Sequence, residues 1–162
     1  MSLRVGARSG LVALVLVVIA ATLMLARPAG AQGEIVLRSD SSTGKSTFLD
    51  VGHDGLRLGD RLTARFPLLD ATGASRVGNG HLECVVQRHI TDGPEGPGGL
   101  YRCSYLFRLA EGHLTIEGLD PHGPGVYTMA VLGGTGAFAG ATGDATLTDS
   151  EGGTEFAISL LT

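Results

Sequence analysis

Lysine is almost missing from this chain: Lys45 is the single one, and the other eleven basic residues are arginine. Three of the bases, Arg4, Arg8 and Arg27, precede Gln32, so residues 32–162 carry nine bases against sixteen acids, a net −7. No basic patch remains to track phosphates, and nucleic acid is not an expected partner. A negative balance of this kind favours solubility. Helical periodicity is missing too: past the N-terminal region no helix-period segment is longer than two turns. Recognisable catalytic and ligand motifs are equally scarce. His53, His81, His89, His113 and His122 form no H-x-x-x-H or comparable pair, so no metal site is expected. No G-x-S-x-G elbow recommends a Ser/His/Asp triad. Ser42-Thr43-Gly44-Lys45-Ser46 is like the end of a phosphate-binding loop, but Ser39 stands where the first glycine belongs and Thr47–Val51 reads as strand, not helix. Gly133-Gly134-Thr135-Gly136 lacks G-x-G-x-x-G spacing and reads as a strand-to-strand corner in which glycine supplies positive φ. No cofactor is expected.

Acid is absent before Glu34, and that absence frames what is present at the N-terminus. Arg4 and Arg8 precede an unbroken apolar run, Leu11–Ala26, and Ala29 and Ala31 are the small residues of an A-x-A cleavage site. This is the three-part pattern of an export signal. Residues 1–31 are therefore expected to be removed near Ala31, leaving 32–162 as one secreted domain with no membrane attachment. The run is shorter than the roughly 20 apolar residues of a span; an uncleaved anchor is the alternative. The preference for Arg over Lys, with 26 glycines and many alanines, suggests a GC-rich bacterial genome. Cys84 and Cys103 are the only cysteines, and in an oxidising compartment such a pair reads as a disulfide.

Short apolar-alternating runs separated by Gly, Pro, Asp and Asn predict strands near 34–38, 46–51, 61–69, 81–90, 100–109, 113–118, 126–132, 143–148 and 154–161. Many short strands at this spacing predict a sandwich or a barrel. A hairpin is the clearest unit, with His81–Ile90 running up, Leu100–Leu109 running back, and turn-forming residues 91–99 between them. Tyr101, Cys103, Tyr105, Phe107 and Leu109 share one face of the second strand, and Leu82, Cys84 and Val86 one face of the first. Pairing Cys84 with Cys103 sets Val86 opposite Tyr101 and Leu82 opposite Tyr105, so the two apolar faces coincide. Ala110-Glu111-Gly112 connects tightly to the next strand, which makes a three-strand meander. Val126–Leu132 is apolar on both sides and is expected to lie deep. On 61–69, alternation puts Leu62, Ala64 and Phe66 on one face and Arg65 outward, because an unpaired buried guanidinium is costly.

From Gly59 to about Leu147 the chain resembles the allene oxide cyclase and dirigent group of β-barrels, most of all its secreted bacterial members. The resemblance rests on Arg76-Val77-Gly78 with Cys84-Val85-Val86 and His89. It rests also on Tyr101, Tyr105 and Phe107 with Gly112-His113-Leu114 and Gly118. Its most specific part is Ala130-Val131-Leu132-Gly133-Gly134-Thr135-Gly136-Ala137-Phe138 with Gly140 and Gly143. Phe48–Gly52 and Leu58-Gly59-Asp60 fit the same group. The resemblance implies a single antiparallel eight-stranded β-barrel with an apolar cavity, and oligomers are possible in such a group. Its cyclases and dirigent proteins act by selecting one conformation of a bound molecule, which is catalysis by positioning.

The known chemistries of the group do not carry over residue by residue. The cyclase acid of the first strand is replaced by Ile35-Val36-Leu37-Arg38, with only Glu34 nearby. The cyclase cysteine falls at Cys84, which the disulfide would occupy. Its tyrosine is offset by one, to Tyr127 in place of Thr128, and Arg65 stands where dirigent proteins carry an Asp. The expectation is a secreted barrel that binds a small apolar or phenolic molecule through Tyr101, Tyr105, Phe107, Tyr127 and Met129 and steers its conformation. Two alternatives are a cyclase or isomerase working by enclosure without a cofactor, and a structural or partner-binding domain whose barrel is filled by side chains.

Overall fold

The protein is seen here as a computed structural model that describes residues 33–161 apart from 41, 53–54, 94–95 and 122. The export signal expected over 1–31, and His53 and His122, lie outside the described residues. Among the described residues nine strands follow one another: β1 Gly33–Ser39, β2 Lys45–Leu49, β3 Arg61–Leu69, β4 Arg76–Gly93, β5 Gly96–Leu109, β6 Gly112–Asp120, β7 Gly125–Gly134, β8 Thr142–Ser150 and β9 Gly153–Leu161. Each pairs antiparallel with its sequence neighbour from β2 to β9. β1 pairs with β9 and also touches β3, which closes a barrel of eight with β2 as one extra strand. β1 and β2 run in the same sense along β3, Ser39 opposite Leu68 and Lys45 opposite Arg65. They are one edge strand broken by the excursion 40–44, and only the first half also pairs with β9. An ion pair of 2.6 Å between Arg38 and Glu155 spans the β1–β9 seam.

The barrel interior is the apolar half of the alternation. Leu68, Cys84, Val86, Cys103, Phe107, Leu114, Ile116, Met129, Ala145, Leu147, Phe156 and Ile158 are all essentially without solvent contact. Phe107 and Phe156 meet edge to face at 5.0 Å between ring centroids. A barrel of this size is filled by side chains rather than left hollow, and this buried cluster follows that rule. Cys84 and Cys103 are directly opposite across β4 and β5 and are bonded, with Val86 opposite Tyr101 and Leu82 opposite Tyr105. The pairing that period-two register demanded is the pairing found.

Two boundaries and one burial pattern differ from the sequence reading. β4 begins at Arg76 rather than 81, because Gly78 and Gly80 belong to the strand instead of a turn. A Cβ on Gly80 would lie 2.1 Å from the Phe66 ring and one on Gly78 2.2 Å from the Arg108 carbonyl oxygen, so both positions need a missing side chain. The β4–β5 pairing also runs further into the expected loop, to Gly93 opposite Gly96. Finally, Val126–Leu132 is not deep on both sides: Val126 is 67% and Leu132 58% exposed, while Met129 and Val131 face inward. Aliphatic outward residues on β7 imitate a two-sided core strand. Arg65 is exposed, as alternation requires.

One end of the barrel is closed by the glycine corner. Gly133 and Gly136 take φ of +135° and +64°, and a 3-10 turn over Gly136–Phe138 pushes the buried Phe138 ring beneath the core. The corner rests against the β5–β6 turn so closely that a Cβ on Gly112 would lie 2.0 Å from the Thr135 carbonyl oxygen.

Candidate ligand-binding site at the open end

At the opposite end three connections stand apart and leave a cleft of about 410 Å³. The first is the break between β1 and β2. Asp40 accepts hydrogen bonds from the Ser42 amide at 2.8 Å and the Ser42 hydroxyl at 2.6 Å, an Asx turn that takes the chain off β9. The same two bonds hold the Asp40 carboxyl below the usual carboxylate range. The second is the β8–β9 turn, where the Ser150 hydroxyl donates to the Gly153 carbonyl at 3.0 Å and the Thr154 amide donates to the Ser39 hydroxyl at 3.1 Å. The third is Gly123-Pro124 between β6 and β7.

The cleft floor is aromatic, with the half-buried Phe66 ring at its surface and the buried Tyr105 and Phe156 rings directly behind it. Phe66 of β3, Tyr105 of β5 and Phe156 of β9 converge, with Phe66 and Phe156 parallel at 6.2 Å and Tyr105 edge-on to Phe156 at 5.4 Å. Leu82 and Ala64 complete it. Above the floor stand four carboxylates, Asp40, Asp120, Asp149 and Glu151, with Lys45 the one cation among the lining side chains described. Asp120 is buried and accepts a hydrogen bond of 3.3 Å from the Tyr105 hydroxyl. Burial first, then the Asp120 and Asp149 carboxylates, push the Tyr105 phenol far above its ordinary range, so it stays a donor at every physiological pH. Tyr101 is raised by the same kinds of cause, burial before Asp120 and Asp60. The arrangement can stack a flat apolar ring on the floor and accept hydrogen bonds or positive charge at the rim.

The five side chains expected to line a ligand cavity separate here. Tyr105 lines the cleft. Phe107 lies below it as core, and Met129 packs on Gly118, whose Cβ would come 2.6 Å from the Met129 side chain. Tyr101 is buried opposite Asp120 in the β5–β6 register, close to Leu56 of the loop that carries Asp60. Tyr127 folds back over Gly125 and its hydroxyl donates to the Gly123 carbonyl, so it pins the rim instead of lining the floor. Phe66, Phe156 and Asp120 were not picked out by sequence. A signal for Asp120 existed: alternation from Leu114 through Ile116 and Gly118 sets it on the inward face. Among the described residues no group of three His, Cys, Asp or Glu side chains is placed to hold a metal ion.

With this geometry in hand, comparison with known proteins defines the fold class. The chain superposes on pyocyanin demethylase with a TM-score of 0.65 at 22% identity, covering 79% of this chain and 99% of that one. An exo-specific intermolecular Diels-Alderase gives a TM-score of 0.57 at 16% identity, covering 81% and 98%. A pterocarpan synthase dirigent protein gives 0.52 at 20% identity, covering 80% and 83%. The protein has the allene oxide cyclase and dirigent type of barrel. No protein-family model matches the chain, and no curated protein matches it.

Proposed function

We propose that the protein is a binding barrel that seats a small aromatic molecule, phenolic in character, on the Phe66–Tyr105–Phe156 floor and fixes its conformation through the carboxylate rim. The carrying observation is the pairing of an aromatic floor with four acids in one cleft of about 410 Å³, a volume within the range of small-molecule sites. Phenol hydroxyls are donors and carboxylates are acceptors, so the rim orients the ring it admits. The same rim disfavours anions. That barrels of this fold include a demethylase, a Diels-Alderase and a dirigent protein supports both a steering and a transforming role. The N-terminal signal pattern supports action outside the cytoplasm. A second reading, isomerisation by enclosure, is favoured by the buried Asp120 and its Tyr105 partner, which set a carboxylate where it can accept a proton.

The chain has three tyrosines and no tryptophan, so its emission reports on Tyr101, Tyr105 and Tyr127 alone. Titration of a panel of phenols is expected to quench this emission saturably, and Phe156→Ala to remove the response while the far-ultraviolet spectrum stays that of a barrel. Native mass spectrometry of protein purified from its own culture medium is expected to show a bound small molecule. No saturable quenching by any ring compound, with an empty protein in the mass spectrum, would defeat the reading in favour of a filled structural barrel.

A further inference from the structure

On the outer wall, β3, β4 and β5 form a notch of about 350 Å³ lined by Arg65, Asn79, His81, Leu106 and Arg108 over the Gly80 backbone, with Phe66, which also borders the cleft, behind it. Register places these side chains together. Arg65, His81 and Leu106 form one cross-strand row, and Asn79 and Arg108 the next. Lys45 extends the first row on β2 and His113 the second on β6. Arg65 and Arg108 are exposed, and among the described residues no carboxylate forms an ion pair with either. The nearest outward acids by register, Glu83 and Glu117, are one row away, and Glu83 is engaged by Arg61 at 3.6 Å.

This grouping runs against both composition and physics. Residues 32–162 hold nine bases among sixteen acids, so acids are available to sit beside every arginine. Like charges on neighbouring strands are destabilising. An acidic protein that gathers Arg65, Arg108, His81 and Lys45 on one patch, with no acid among the notch lining, holds a site whose counter-charge comes from outside. Arg65 and Arg108, on alternate strands and one row apart, lie about 12 Å apart at their backbones. Both border the notch over the Gly80 backbone, whose inward side is filled by the Phe66 ring. Guanidinium forks suit planar or tetrahedral oxyanions.

We propose that this notch binds a phosphate or sulfate group, with Arg65 and Arg108 as its two clamps, His81 between them and Asn79 at the edge. The notch shares one lining residue, Phe66, with the cleft. The test is a titration of the purified protein with inorganic phosphate and with sulfate, followed by calorimetry and by amide shifts. Saturable binding is expected, with shifts centred on residues 79–81 and 106–108. Arg65→Gln and Arg108→Gln are each expected to weaken it about tenfold, the size of one lost charge-assisted contact. Arg102→Gln, on the same wall but two rows off, is expected to leave it unchanged. Phosphate is also expected to raise the unfolding temperature of the parent protein but not of Arg65→Gln, which separates lost binding from lost folding. Equal weakening by Arg102→Gln would show diffuse charge attraction only and would overturn the site. So would a response abolished by Lys45→Met and untouched by Arg108→Gln, which would move the anion to the cleft rim.

Discussion

The two ends of this barrel start from the same inward alternation and finish differently. At the closed end, glycines let backbones touch: Gly112, Gly134 and Gly136 each face a carbonyl oxygen that a Cβ would strike, at 2.0, 2.1 and 2.3 Å. At the open end the connections satisfy themselves. Asp40, Ser42, Ser150 and Thr154 bond within or between the rim loops, and the loops stay apart over an aromatic floor. Backbone contact therefore concentrates where side chains are missing, and the cleft lies where polar side chains are spent on their own backbone. A fold can keep one end variable because the other is fixed by backbone contact.

The largest expected effect breaks the closed end. Gly112→Val adds a side chain at φ +148°, 2.0 Å from the Thr135 carbonyl oxygen. Strain and overpacking together are expected to remove about 4 kcal/mol, read as the loss in chemical denaturation. A loss no greater than that of an exposed strand position would show that the corner is not what closes the barrel. Next comes the disulfide, between the two ends. Replacing Cys84 and Cys103 together by alanine opens a loop with a separation of 19 residues. The expected loss is roughly 3 kcal/mol in the chain-entropy model. Thiol titration of denatured, unreduced protein is expected to find no free thiol, and two per chain would overturn the assignment.

These two features were also the most legible in sequence, and for the same reason. The glycine corner and the Cys84–Cys103 hairpin are local patterns, and period-two register leaves one pairing that keeps both apolar faces together. The other strands were likewise visible as short apolar runs between turn residues, with β7 read as apolar on both sides. The open end was not legible, because Asp40, Phe66, Tyr105, Asp120, Glu151 and Phe156, which lie far apart in sequence, meet only through closure of the barrel. Tyr105 was found because its strand is strongly alternating. Gly78 and Gly80 read as turn because sequence does not show that the Phe66 ring and the Arg108 carbonyl occupy the space a side chain would take.

Between the ends, Tyr105 offers a titration that sharpens the comparison. Its phenol is raised by burial and by Asp120 and Asp149, whereas an unfolded tyrosine ionises near pH 10. Above about pH 10 the unfolded chain binds fewer protons than the native one, so stability falls as pH rises; below it the contribution is fully present. The slope from one such group is about 1.4 kcal/mol per pH unit, and Tyr101 adds to it. Tyr105→Phe is expected to flatten the fall in denaturation midpoints between about pH 10 and 12. An unchanged slope would mean that the phenol is already ionisable in the folded protein, and the floor wetter than the geometry shows.

The smallest effect on stability is expected from the rim, where the effect on recognition is the point. Asp149→Asn with Glu151→Gln removes two of the four cleft carboxylates while keeping their shape. Near-isosteric changes at exposed or half-exposed turn positions are expected to move stability by no more than about 0.5 kcal/mol. The parent protein is expected to bind a phenol more tightly than the same ring bearing a carboxylate, because an anion meets Asp40, Asp120, Asp149 and Glu151 at close quarters. The double variant narrows that preference by weakening the repulsion, with the affinity for neutral rings little changed. Paired titrations by tyrosine emission read both numbers from one protein sample. If the parent shows no preference against the carboxylate, or the variant loses neutral rings as well, the acids are not acting as a charge filter. The open end would then differ from the closed end in packing alone.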